Sequence, residues 1–143
     1  IADGLLYTIA CTEDAPILDE AAVEQTDFAV ITTDFLEVCE LWPQQTPDPA
    51  WREPLTADVP TLLLSGSADP ITPPRYADAV DASLPNSLHI VVEGYGHGVM
   101  GVGCVLDLMN DFLESGSTEK LDPSCTQNVL PPPFFVDLTG PRP

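Results

Sequence analysis

Two short runs dominated by apolar residues, Thr61–Leu64 and Ile90–Val92, flank an amphipathic segment and constrain this chain more than any other feature. Each run ends in a turn of small residues. The first turn, Gly66-Ser67-Ala68-Asp69-Pro70, carries an acid; the second, Gly94-Tyr95-Gly96-His97-Gly98, carries a histidine. Continuous Leu-, Val- and Ile-rich runs of this length suit strands buried on both faces of a parallel sheet. Between them, Thr72 is expected to cap a helix with Pro73 or Pro74 in its first turn. Tyr76, Ala77, Val80 and Leu84 then recur at helical spacing. The unit reads as strand–helix–strand, which makes the fold class α/β. Asp69 and His97 fall in the loops after its two strands, where open α/β sheets bind ligands.

An acid after one strand and a histidine after the next are the second and third members of a Ser–Asp–His series in chain order. Histidine suits a general base because its ordinary pKa is near neutrality. A carboxylate beside it fixes the ring tautomer and stabilises the imidazolium that forms when a serine is deprotonated. The plainer alternative is that Asp69 caps a turn before Pro70 and His97 is an ordinary loop histidine. His89 is expected to precede its strand and to be solvated. No Gly-x-Ser-x-Gly elbow occurs anywhere. Ser65 and Ser67 sit before the acid without the elbow's glycines, and Ser115 and Ser117 lie at a helix end, so none is a good nucleophile.

The loop Ser65-Gly66-Ser67-Ala68-Asp69-Pro70-Ile71-Thr72-Pro73 resembles the acid loop of tripeptidyl-aminopeptidase-like (TAP-like) α/β-hydrolases, relatives of the proline iminopeptidases. Gly94-Tyr95-Gly96-His97-Gly98 followed by Cys104 resembles their histidine loop. Cys11 and Cys39-Glu40-Leu41-Trp42-Pro43 extend the resemblance over most of the chain. It covers only the C-terminal portion of such an enzyme. The resemblance implies a secreted, periplasmic or cell-envelope serine exopeptidase. Asp69 and His97 would be its catalytic acid and base, and an N-terminal hydrolase portion would supply the serine. A peptide with a free N-terminus would be the substrate, with no metal or organic cofactor. It also implies disulfides Cys11–Cys39 and Cys104–Cys125. In the iminopeptidases, cap acids hold the substrate ammonium; Glu13 and Asp14 stand in a comparable place, against the alternative of a solvated turn. Other enzymes of the fold (esterases, dehalogenases, epoxide hydrolases) remain open, as does a non-catalytic binding or assembly module.

The rest of the chain has no internal repeat and no phosphate-binding glycine-rich loop. Leu5–Ala10 is apolar but too short to assign as strand or helix. From Asp19 to Trp42, Phe28, Ile31, Phe35, Val38 and Trp42 recur at helical spacing, with a break near Gln25-Thr26 and Asp27 as a possible cap. Prolines 43, 47, 49, 54 and 60 mark a linker, with Trp42 and Trp51 as buried anchors. After His97, Val102, Val105, Leu106, Met109, Phe112 and Leu113 form the apolar face of a last helix that stops at Gly116. Residues 1–60 are thus expected to be the end of a cap and its linker, 61–116 the hydrolase core, and 117–143 a proline-rich, disulfide-tethered tail. Only two runs read as buried strands, where a sheet usually has about five or six. The chain is therefore expected to be a fragment, a processed half or one part of a split enzyme.

Composition narrows the partners. With 23 acidic residues against 4 basic ones, the net charge of −19 opposes nucleic acid and anionic membrane surfaces. A hydrophobic content of 44% argues against disorder. No run approaches the roughly 20 apolar residues of a membrane span. The cysteines form no Cys-x-x-Cys pair and there are 2 histidines, a poor set for zinc.

Overall fold

The computed structural model describes residues 2–135 and 137–140. The chain divides into two compact units between Glu53 and Pro54, inside the proline-rich stretch.

The first unit is helical. The apolar run near the N-terminus forms α1, Asp3–Ile9, which continues through a π-helical turn, Ala10–Asp14, and a 3-10 turn, Ala15–Ile17. Then come α2, Glu20–Val23, and α3, Ala29–Leu41. Asp19 caps α2 by accepting the Ala22 N–H. The break falls where expected, but Asp27 caps nothing: Phe28 bounds α3, and no side chain caps it. The Cys11–Cys39 disulfide ties the π turn to α3, and both cysteines are buried. Tyr7 stacks on Phe35 and meets Trp42, with ring centroids 5.5 Å and 5.3 Å apart. The Trp42 indole N–H donates to the Thr8 hydroxyl. Trp51 is not a buried anchor. It lies half exposed in a 3-10 turn, Pro49–Arg52, with the Arg52 guanidinium over its ring. Phe28 and Ile31, placed on the apolar stripe by their spacing, are also exposed. The disulfide and the aromatic trio give this unit its packing in place of a broad helical face.

The second unit contains the parallel pair. Strand β1, Thr61–Gly66, and strand β2, Ser87–Val92, run in parallel register from Thr61 opposite Ser87 to Gly66 opposite Val92. Helix α4, Pro74–Asp81, crosses between them, and helix α5, Val105–Ser115, follows. This is an α/β arrangement. Among the described residues the sheet has two strands, so a complete hydrolase sheet is not present. The buried core is Val92, Val99 and Val105, with Leu64, Tyr95, Val102, Met109 and Val129 packed on it. On α5, Val105 and Leu108 turn inward while Leu106 and Leu113 stay exposed. Gly116 ends that helix in the left-handed region, φ 62°, as its sequence position predicts. Tyr76 and Val80 on α4 are substantially exposed, and Leu84 just beyond the helix is buried. The tail turns back through a 3-10 segment, Pro123–Asn128, joined to the start of α5 by the Cys104–Cys125 disulfide. No helix of the described residues is long and apolar enough to cross a membrane.

Two expectations near the strands are corrected. Strand β2 begins at Ser87, so His89 lies inside it, opposite Leu63, with a buried side chain. Thr72 does not cap α4, whose boundary residue is Pro73 and which has no side-chain cap.

Candidate active site

Parallel pairing carries β1 and β2 to the same end of the sheet, so the loops after them lie side by side. Backbone bonds join the loops: Ser67 N–H donates to Val92 O and Ala68 N–H to Tyr95 O. The Ser67 hydroxyl accepts the Gly94 N–H at 2.7 Å. The approach is close enough to require glycine at position 66, where a Cβ would overlap the carbonyl oxygens of Tyr95 and Gly96. Gly94 and Gly98 in the histidine loop have φ of 74° and 85°, a region that side-chain-bearing residues rarely occupy.

This junction brings Asp69 and His97 together. His97 Nδ1 is 2.9 Å from Asp69 Oδ2. The Asp69 side chain is 4% exposed, and the imidazole side chain is 57% exposed. Asp69 Oδ1 accepts the N–H groups of Ile71 (2.8 Å) and Thr72 (3.1 Å), an Asx turn that locks the acid. Oδ2 accepts the Thr72 hydroxyl at 2.8 Å as well as the ring. Burial alone would raise the Asp69 pKa. The N–H groups of Thr72 and Ile71, the His97 ring and the Thr72 hydroxyl outweigh it and hold the carboxyl well below the usual carboxylate range.

The proton positions follow from this donor set. An ionised carboxylate only accepts, so Nδ1 carries a hydrogen, and in the neutral ring Nε2 then keeps the lone pair. The Thr72 hydroxyl spends its hydrogen on Oδ2, so its oxygen, 3.1 Å from Nδ1, takes a second share of the same ring N–H. Nε2 has no partner among the described residues. The contact thus holds the neutral form of the ring in the Nδ1–H tautomer, the one that leaves Nε2 basic. Thr72 is the residue that sequence reasoning misplaced. Its spacing from Asp69 signals an acid-loop hydroxyl as well as it signals a helix cap.

No serine of the described residues bonds His97. Ser67 is committed to Gly94, and Ser65 to the other histidine: Ser65 Oγ is 2.9 Å from His89 Nε2, and His89 Nδ1 is 2.9 Å from Asp78 Oδ1. This second series repeats the connectivity of a Ser–His–Asp relay. Its serine, however, is buried on β1, and its imidazole is 6% exposed inside β2. With no approach for an acyl group, it joins both strands to α4.

Glu13 and Asp14 lie in the π turn of the first unit, Glu13 partly buried and Asp14 exposed. Arg52 Nη2 donates to the Glu13 carbonyl at 2.9 Å and not to its carboxylate. Neither carboxylate has a cationic partner among the described residues. The same unit holds a cleft of about 530 Å³ lined by residues that include Thr12, Gln44, Trp51 and Arg52. Among the described residues no group of three or more His, Cys, Asp or Glu side chains could hold a metal ion.

A comparison with known families finds a match to the model for TAP-like proteins of the α/β-hydrolase class over residues 28–125, more than half of the chain and inclusive of Asp69 and His97. Neither a curated protein nor a solved structure matches.

Proposed function

Because the chain belongs to the TAP-like family of α/β-hydrolases, we propose that it supplies the acid, Asp69, and the base, His97, of a Ser–Asp–His triad in a secreted serine exopeptidase. The observation that carries the reading is the 2.9 Å contact between His97 Nδ1 and a locked, buried carboxylate, with Nε2 left free. On this reading residues 1–60 are the end of a cap and its linker, 61–116 belong to the C-terminal part of the hydrolase core, and 117–143 are a tethered tail. The nucleophilic serine comes from sequence outside these residues.

The chemistry follows from the proton inventory. His97 Nε2 takes the serine proton as the hydroxyl attacks the scissile carbonyl, and Asp69 stabilises the imidazolium that results. The same Nε2–H then protonates the leaving amine. In the second half, Nε2 takes a proton from water as it attacks the acyl-enzyme and returns that proton to the serine. Glu13 and Asp14 are the acids we assign to the substrate's free ammonium, since a carboxylate without a cationic partner is available for one. Secretion is supported by the two disulfides, which persist in oxidising compartments.

The test is fluorophosphonate labelling with steady-state kinetics. The chain alone should neither label nor turn over. The assembled enzyme should label on a serine, and His97→Ala should lower its kcat by roughly 10⁴- to 10⁶-fold. Turnover without labelling would point to an aspartate nucleophile and a different hydrolase class. Full activity in His97→Ala would end the triad reading.

A further inference from the structure

The loop that presents His97 is poor in means of holding itself. Gly94, Gly96 and Gly98 give its backbone more freedom to lose than any other residue type. A Cβ at Gly96 or Gly98 would meet nothing within 4 Å, so that part of the loop is open. A base that must meet a serine productively needs placement to about 0.5 Å. The bonds from the acid loop to Gly94 and Tyr95 and the Asp69 contact supply part of that placement, and another part of the chain adds to it.

The tail does so at successive residues. Val129 packs on the Val92, Val99 and Val105 core and sits against Gly103. The Leu130 carbonyl accepts the Tyr95 hydroxyl at 3.0 Å. Pro131 lies against Gly94, where its ring would clash with any added Cβ. Upstream, Thr126 is buried and Cys125 is bonded to Cys104, which fixes the tail at the far side of the same loop. Tyr95 is the junction. Its backbone carbonyl accepts from Ala68 in the acid loop and its hydroxyl donates to the tail, with His97 two residues on.

We propose that the segment Cys125–Pro131 is a strap that holds the histidine loop in register with Asp69, and that Tyr95, Val129 and Pro131 are positioning residues for His97. The inference deepens the triad reading and rests on it for its catalytic consequence. The strap acts through the backbone on either side of His97 and touches no substrate.

His89 serves as an internal control, because it too places Nδ1 at 2.9 Å from a carboxylate, and its ring bonds go to Asp78 and Ser65 rather than to the strap. Long-range proton–nitrogen spectra of the whole chain, disulfides formed, report the tautomer of each neutral ring above the histidine titration range. Both histidines should show the Nδ1–H form. Tyr95→Phe removes one hydroxyl and keeps the ring; Pro131→Ala removes the contact on Gly94. Each should shift His97 toward the Nε2–H form and leave His89 unchanged. In the assembled enzyme, hydrolysing a p-nitrophenyl ester, each should lower kcat by roughly 10- to 100-fold with little change in KM. An unchanged His97 tautomer in both variants would overturn the strap. So would an equal shift at His89, which would mean general loosening. Should His97→Ala instead remain active, the triad reading fails, and a strap effect on the His97 tautomer would still stand.

Discussion

At the scale of single residues, Asp69 governs both chemistry and acid stability. Its carboxyl is held below the usual range in the folded chain, so the unfolded chain binds its proton at a higher pH. A group lowered in this way stabilises the fold fully above its unfolded pKa of about 3.9, and the contribution is lost as pH falls below that value. The other carboxylates complicate the raw profile. Asp122, bonded by the Ser124 N–H, and Asp137, bonded by the Thr139 hydroxyl and N–H, are lowered as well. Protonation also relieves repulsion within a chain of net charge −19. Comparison isolates the one residue: Asp69→Asn should lose stability at neutral pH, and the difference from the parent should shrink on acidification. Thermal melts of both between neutral and acid pH give that difference, and a constant offset would show that Asp69 ionisation contributes nothing. Asp69→Asn should also lower kcat of the assembled enzyme by about 10⁴-fold, because an amide lets the ring adopt the wrong tautomer.

At the scale of elements, the Ser65–His89–Asp78 series is the lock between β1, β2 and α4. Its outer bond is to an acid that is 67% exposed and contributes little, but its inner bond satisfies a buried hydroxyl. His89→Ala should therefore cost about 1–3 kcal/mol, the penalty of leaving the Ser65 hydroxyl buried without a partner. The double change His89→Leu with Ser65→Ala should recover most of it. Urea denaturation of His89→Leu, Ser65→Ala and the double variant tests this, and additive losses would show that the two groups do not act together. This lock also shows what was legible in the sequence. The strand ends and the Asp69–His97 pair were visible because buried apolar runs and glycine-rich turns are local signals. The start of β2 was not, since Ser87-Leu88-His89 looks polar until the helix supplies Asp78 and β1 supplies Ser65. Thr72 was misplaced for a similar reason: a hydroxyl before two prolines fits a cap, and only the packed loop shows that the carboxylate takes it. Leu106 and Leu113 continue the apolar stripe of α5, but the small core reaches only the inner edge of that stripe.

At the scale of the whole molecule, the chain divides into two compact units within a stretch of prolines, and the family match spans that division. Each loop closed by a disulfide, with separations of 28 and 21 residues, adds roughly 3–4 kcal/mol by restricting the unfolded chain. Thiol titration in denaturant without reductant should find no free cysteine, and any reactive thiol would remove a bridge from that account. Neither bridge crosses from residues 1–53 to residues 54–143, so the covalent graph of the chain has one plain backbone connection between two closed rings. A single peptide-bond scission between Glu53 and Thr61 would therefore yield two separable fragments on a non-reducing gel, each keeping its own cross-link. A scission inside either ring would leave the mass of the intact chain until a reductant is added.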